Sequence, residues 1–170
     1  MVRVSRARKA AVAVAVGALT AGVLVSCGAD SPGEGVASAP NASDPACEKA
    51  AARYPDRLGG EELTFTDRPG VAVWGENAIV LRCGVELPLP TTDPCANVEG
   101  VNWVFREERS KDDSKVIVTY GRDPAVEVVV SDEVVAVDDV LIELSTLVEP
   151  IKAYRECVGA DDVPAPTPSP

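Results

Sequence analysis

Short segments with the two-residue period of β-strands recur between residues 71 and 130, and this pattern constrains the fold more than any other feature of the sequence. The segments VAVW and AIVLRC flank the turn-forming residues GEN, which predicts a β-hairpin with a three-residue loop. Three more such segments follow with short connections: VNWVFRE, KVIVTY and AVEVVV. Because short turns join strands that run in opposite directions, we expect an antiparallel sheet.

Two segments outside the strands have helical signals. Asp44 and Pro45 are residue types preferred at the N-cap and at the first helical position, and they predict a short helix with Cys47, Ala50, Ala51 and Tyr54 on one face. A second helix is predicted behind an N-cap at Asp138, since apolar residues recur there at helical spacing: Val140, Leu141, Leu144, Leu147 and Val148. The pattern after Pro150 fits a strand or a helical turn equally well.

The fold class predicted from these elements is α+β. We expect an antiparallel sheet of four to six strands with one or two helices packed on one face, stapled by disulfides. The segment VELPLPTTDPC is predicted to be a loop, because its prolines have no N–H to donate to a central strand.

The N-terminal residues 1–26 are typical of an export signal. Four basic residues precede an apolar run of sixteen residues that ends at Val25, which is too short for a comfortable membrane-spanning helix. The run ends in Leu24-Val25-Ser26-Cys27, which resembles the lipobox of bacterial lipoproteins. That resemblance implies cleavage before Cys27 and a diacylglyceryl group on its thiol. Plain secretion and an uncleaved signal anchor are the alternatives.

The rest of the chain divides by composition. Residues 27–44 are small, polar and turn-forming, and they predict a flexible tether. Residues 45–162 are long enough for a single domain with one core. Residues 163–170 carry a proline at every second position from Pro164 and predict a disordered tail.

The cysteine count agrees with export. Without Cys27, four of the five cysteines remain, which is enough for two disulfides in an oxidising compartment. Three pairings are open, and we favour Cys83 with Cys95, across the proline-rich loop, and Cys47 with Cys157, across the domain ends. A zinc site is disfavoured, because the chain has no CxxC motif and no histidine.

Charge excludes one class of partner. All 27 acidic residues follow Cys27, where only 12 of the 16 basic residues lie, so the processed chain carries a net charge of −15. Such a surface repels phosphate backbones, and nucleic-acid binding is not expected. Asp112-Asp113 and Asp138-Asp139 lack the alternating ligands of a calcium loop, and we predict no metal site and no cofactor.

The absence of histidine removes the common forms of nucleophilic catalysis. Carboxylate-pair hydrolysis stays open in a chain with so many acids, but aromatic platforms for a sugar are scarce. We therefore predict no catalytic residues and a protein that is not an enzyme.

One group of residues is a candidate ligand-binding site. Arg82 and Arg122, with Trp74 and Tyr120 near them in sequence, are predicted to form a small anion or sugar-acid site within an acidic surface. Arg82 is expected to lie off the core, since it alternates with Leu81 and Cys83 along its strand. The alternative is structural: Tyr120 belongs to the core and each arginine pairs with an acid such as Asp123.

The lipobox, the segments WGENAIVLRCG, LPLPTTDPC, VEGVNWV and TYGRDPAVEV, and a late cysteine together resemble the actinobacterial lipoproteins of the domain-of-unknown-function 3515 family. The resemblance spans most of residues 47–157 and implies a domain tethered by lipid to the outer face of the cytoplasmic membrane. It assigns no catalytic or binding residue. The expected function is a non-enzymatic accessory or binding module whose partner is an envelope protein or a cell-wall component. The alternative is a small-molecule binding or carboxylate-based hydrolytic domain.

Overall fold

A computed structural model describes residues 31–64, 67–111 and 113–158. The predicted signal peptide, the predicted lipidation residue Cys27 and the proline-rich tail lie outside the described residues. Within them the chain forms two α-helices and eight strands: α1 Pro45–Ala51, β1 Arg57–Leu58, β2 Glu61–Thr64, β3 Val71–Trp74, β4 Ile79–Val85, β5 Cys95–Val98, β6 Val101–Phe105, β7 Lys115–Thr119, β8 Ala125–Val130 and α2 Val137–Val148. A 3₁₀ turn, Glu107–Arg109, lies between β6 and β7.

The strands form one antiparallel sheet in the order β1-β2-β3-β4-β8-β7-β6-β5. The α+β class and the antiparallel pairing are confirmed, whereas the predicted number of four to six strands is too low. The strands that the sequence pattern missed are β1, β2 and β5, at the two edges of the sheet. Edge strands are short and partly exposed, so they carry little of the apolar alternation on which the prediction depended.

The predicted loop is confirmed for residues 86–94, and it makes the single long crossing within the described sheet. It leaves β4 in the middle of the sheet and delivers the chain to β5 at the far edge. From β5 the chain returns strand by strand through β6 and β7 until β8 pairs with β4. This crossing sets the relative positions of the cysteines and of the arginines described below.

The two helices follow the predicted apolar patterns but differ at their ends. Asp44 caps α1 through its side chain, which accepts a hydrogen bond of 2.7 Å from the Ala46 N–H. The predicted N-cap of α2 is wrong: the helix begins at Val137 after Ala136, and Asp138 lies in its first turn. There Asp138 and Asp139 are exposed and interact favourably with the positive end of the helix dipole. As far as it is described, to residue 158, the segment after Pro150 contains no helix, and its sheet contact is a single bridge from Ala153 to Arg122.

The main core contains buried side chains from both helices and from alternate positions of the strands. Leu81 and Cys83 belong to it, whereas their neighbour Val80 belongs to a smaller cluster with Val71 and Val73. Two successive positions on one strand therefore pack against different layers, as the pleat of a strand requires.

Residues 31–44 are not a flexible tether, and this prediction is wrong for the described part of the segment. We call these residues the N-terminal strap. Ala39 and Ala42 are buried, and the Asn41 N–H donates to the Gly84 carbonyl at 2.9 Å. The Gly33 N–H donates to Asn77 Oδ1 at 2.7 Å. The strap has the composition of a linker, but small residues also permit close packing of backbone on a sheet.

Gly84 allows this packing, and its replacement by alanine tests the strap. Gly84 has φ +90° at a bulge between Cys83 and Val85, and an added Cβ would collide with the backbone of Asn41 and Ala42. We expect Gly84→Ala to lower the free energy of unfolding by about 2 kcal/mol, from left-handed strain together with lost packing. Urea unfolding and hydrogen exchange at Asn41 measure the two effects.

Gly100→Ala is the matched control, because Gly100 has φ +78° but nothing lies within 4 Å of its added Cβ. The Gly100→Ala substitution should lower the free energy of unfolding by about 1 kcal/mol and leave hydrogen exchange in the strap unchanged. Equal losses in the two variants, with unchanged exchange at Asn41, would contradict a packed strap.

Candidate functional site

An open pocket of about 500 Å³ lies between the strap, the loop of residues 86–94 and three arginines. We call it the arginine pocket. Its cations are Arg82, Arg106 and Arg109, and Glu127 is the buried acid among its lining residues. Three guanidinium groups around one cavity are unusual in a chain of net charge −11, so this pocket is the candidate functional site.

The sheet register brings the first ion pair together. Arg82 on β4 is the cross-strand partner of Glu127 on β8, and directly opposed side chains on neighbouring strands are close enough to pair. Arg82 Nη1 donates to Glu127 Oε1 at 3.2 Å. The prediction that Arg82 lies off the main core is confirmed: its side chain is 28% exposed, whereas Leu81 and Cys83 on either side are buried.

Arg109 completes the cluster from the 3₁₀ turn. Its Nη1 donates to the other Glu127 oxygen, Oε2, so a single carboxylate accepts from two guanidinium groups. Glu127 is only 3% exposed, and a carboxylate at that depth requires such compensation. The third cation, Arg106, pairs through Nε with Asp93 Oδ2 at 3.2 Å.

Sequence reasoning missed Glu127, Arg106 and Arg109. A signal for Glu127 was present, since it is the only charged residue in the strand AVEVVV. An acid within an otherwise apolar strand indicates a buried partner of opposite charge. No comparable signal marked the two arginines, which lie in a charged turn that is normally solvated.

Arg122 does not share a cavity with Arg82. It is 5% exposed, and its guanidinium donates to the carbonyls of Glu149, Ile151 and Gly100. Burial lowers the pKa of the Arg122 guanidinium, and the nearby charge of Glu149 acts in the opposite direction. Arg122 therefore ties the end of α2 to the β5–β6 turn, and the expected pairing with Asp123 is absent among the described ion pairs.

The two predicted aromatic residues lie elsewhere. Trp74 is fully buried in the main core, where its Nε1 donates to the Pro55 carbonyl at 2.9 Å and its ring contacts Tyr54 edge to face. Burial raises the pKa of the Tyr54 hydroxyl to about 12. Tyr120 is partly buried and lines a separate cavity beside Cys95 and Cys157. The site predicted from Arg82, Arg122, Trp74 and Tyr120 is therefore not assembled, and only Arg82 lines the arginine pocket.

The four cysteines after Cys27 form two disulfides, but the favoured pairing is wrong. Cys47 is bonded to Cys83 and Cys95 to Cys157, with Cα–Cα distances of 5.6 and 6.3 Å. The path of the loop of residues 86–94 explains the error. It places the strand of Cys95 four positions away from the strand of Cys83, about 19 Å at the usual strand spacing, which no disulfide spans.

In residues 31–64, 67–111 and 113–158, no group of three or more cysteine, aspartate or glutamate side chains is arranged to hold a metal ion. Asp112, part of one rejected calcium candidate, lies outside them. Over the same ranges, neither helix has the length and hydropathy to cross a membrane.

Comparison with known proteins identifies a family. The chain matches the family described as "Protein of unknown function (DUF3515)" over residues 8–155. No curated protein and no solved structure matches it. Because the family match covers most of the chain, including the strap, three of the four disulfide-bonded cysteines and every residue of the arginine pocket, this chain belongs to the DUF3515 family.

Proposed function

We propose that this protein is a lipid-anchored, extracytoplasmic binding module of the cell envelope, held at the outer face of the cytoplasmic membrane through Cys27, and that it is not an enzyme. The observation that carries the proposal is the pairing of all four later cysteines in two disulfides. Structural disulfides form and persist in oxidising compartments. They agree with the export signal and leave Cys27 as the one cysteine available for the lipid that the lipobox implies.

Binding is favoured over catalysis by the chemistry of the arginine pocket. Both oxygens of Glu127 already accept hydrogen bonds from arginines, so this carboxylate is poorly placed to abstract a proton. Among the residues that the structure describes, the pocket lining contains no cysteine, lysine, serine or tyrosine, and the chain has no histidine. An arrangement of fixed cations with apolar walls suits recognition of a ligand.

The proposal also specifies how the module meets its partners. The strap, which follows Cys27 closely in sequence, packs against the domain and forms one wall of the arginine pocket through Pro40. A domain tied this closely to a lipid stays near the membrane surface. Its partners are therefore expected among envelope proteins or cell-wall components within reach of that surface, with no nucleic acid among them.

Expression of the full chain in a bacterium that processes lipoproteins tests the proposal. Wild-type protein is expected in the membrane fraction, with the mass of a chain that begins at an acylated Cys27 and has no free thiol. Cys27→Ala should leave the membrane fraction or retain its signal, because two acyl chains supply the stable anchoring. Ser26→Ala is the control: it keeps a small residue before Cys27 and should stay anchored.

The same experiment has a result that would contradict the proposal. A wild-type chain with an intact N-terminus, no added lipid and four reactive thiols would overturn the proposal, whatever ligand the pocket binds.

A further inference from the structure

We propose that the arginine pocket binds a small organic anion, whose phosphate or carboxylate oxygens accept hydrogen bonds from Arg82 and Arg109 while its apolar part packs against Val85, Val118 and Leu87. This inference deepens the proposed binding function by naming the ligand class. It does not depend on lipid attachment at Cys27.

The first support is an imbalance of charge. Glu127 is one negative charge between Arg82 and Arg109, which together carry two positive charges. Arg106 is balanced by Asp93. Glu86 also lines the pocket, but it is exposed, and it forms no ion pair with an arginine among the described residues. The inner part of the pocket therefore has an excess of one cation, which an anionic ligand would neutralise.

The second support is a set of free donors. A guanidinium group has five N–H bonds. Within the described residues, Arg109 donates through Nη1 only, and Arg82 donates through Nη1 to Glu127 and through Nε to the Ala37 carbonyl at 3.1 Å. The Nη2 group of each arginine is left without a partner there. Such donors bind two oxygens of one phosphate or carboxylate in a fixed geometry.

The third support is fixed geometry. Arg82 is held at two points, by the strap and by Glu127, and Glu127 is held in turn by Arg109. These contacts position the cations before any ligand arrives, so less conformational entropy is lost on binding than with solvated arginines.

The volume and the walls indicate an organic ligand. A cavity of about 500 Å³ is much larger than a bare phosphate ion, and Val85 and Val118 form buried apolar parts of its lining. Leu87 and Leu89 extend this apolar lining to the solvent, with 38% and 79% exposure. The acidic remainder of the molecule disfavours polyanions, whereas a small anion feels mainly the local charges within a Debye length of about 8 Å.

The test is an NMR titration of purified, oxidised full-length protein with hexyl phosphate, hexanoate and the neutral hexanol. We expect either anion to shift the amides of the pocket and to bind at least about tenfold more tightly than hexanol, since hydrogen bonds from a charged donor carry the interaction. The tighter of the two anions identifies the preferred oxyanion. No shift with either anion, or equal binding of hexanol, would overturn the inference.

Variants separate the pocket from general charge effects. Arg109→Gln should weaken anion binding about tenfold or more, whereas Arg57→Gln, which removes a cation that pairs with Glu62 outside the pocket, should not. Leu89→Asp places an acid on an exposed lining residue without a risk to folding, and it should also weaken binding. Val134→Asp is its matched control, because Val134 is exposed and lies outside the pocket. Equal losses in a variant and its control would overturn the inference.

Two sources supply such an anion, and vesicles distinguish them. Stronger binding to phosphatidylglycerol vesicles than to phosphatidylcholine vesicles, with the excess removed by hexyl phosphate, would support a lipid headgroup as the ligand, because insertion of the acyl chains is common to both vesicles. Binding of hexyl phosphate or hexanoate without such an excess would support a soluble anion. If the protein binds neither anion and shows no preference for phosphatidylglycerol vesicles, although it is still anchored through Cys27, the inferred ligand class is overturned and the proposed function is unaffected.

Discussion

Removal of the disulfide between Cys47 and Cys83 by a double alanine substitution is expected to lower the free energy of unfolding by about 5 kcal/mol. The bridge closes a loop with a sequence separation of 36 residues, for which chain entropy predicts about 4 kcal/mol. Both cysteines are fully buried in the main core, and the lost sulfur atoms leave space that costs roughly 1 kcal/mol more. Urea unfolding under oxidising conditions measures the change.

The double variant of Cys95 and Cys157 is the matched comparison. Its loop is longer, with a separation of 62 residues, but Cys95 is exposed and no core space is created. We expect a loss of about 4 kcal/mol from chain entropy alone. If a variant does not fold, mapping of disulfide-linked peptides from the wild type still decides the connectivity. A peptide joining Cys83 to Cys95 would contradict the structure.

Substitution of Arg122 by methionine is expected to lower the free energy of unfolding by about 4 kcal/mol and to leave anion binding in the arginine pocket unchanged. Methionine keeps an unbranched apolar stem but donates to none of the carbonyls of Glu149, Ile151 and Gly100, which lose their charged donor. Arg122→Lys keeps the charge but loses the planar fork, and it should cost about half as much. Chemical unfolding and hydrogen exchange near the end of α2 measure the effect.

Arg57→Met is the control, because Arg57 forms an exposed ion pair with Glu62. The Arg57→Met substitution should change the free energy of unfolding only slightly, within the range measured for surface ion pairs. A stability of Arg122→Met equal to that of Arg57→Met, together with loss of anion binding, would restore Arg122 to the ligand-binding role predicted from sequence.

The central strands were predictable because each carries a strong local pattern. The hairpin of β3 and β4 and the strands β6, β7 and β8 lie where the period of two predicts them. The edge strands β1, β2 and β5 have no such pattern, because they are short and partly exposed and carry little apolar alternation, although each pairs with a strand close to it in sequence. The packing of the strap was not predictable for a different reason: its burial depends on Gly84, which is distant in sequence.

Only one residue of the candidate site was predictable from the sequence. Alternation along β4 placed Arg82 off the core correctly, because side-chain direction on a strand is a local property. Its partners Glu127 and Arg109 come from later parts of the chain, and cross-strand register brings Glu127 opposite Arg82. Arg122 has the same charge as Arg82 and also lies near an aromatic residue in sequence, but its guanidinium group donates to backbone carbonyls.

By itself the sequence determined which segments become the central strands and the two helices, the α+β class, the family resemblance and the absence of histidine chemistry, since all of these depend on residue type and short spacing. Only the tertiary structure decided which cysteines pair, which arginines meet and which glycine admits the strap. These depend on the order of strands across the sheet, where one long crossing of the chain separates residues close in sequence and joins residues far apart.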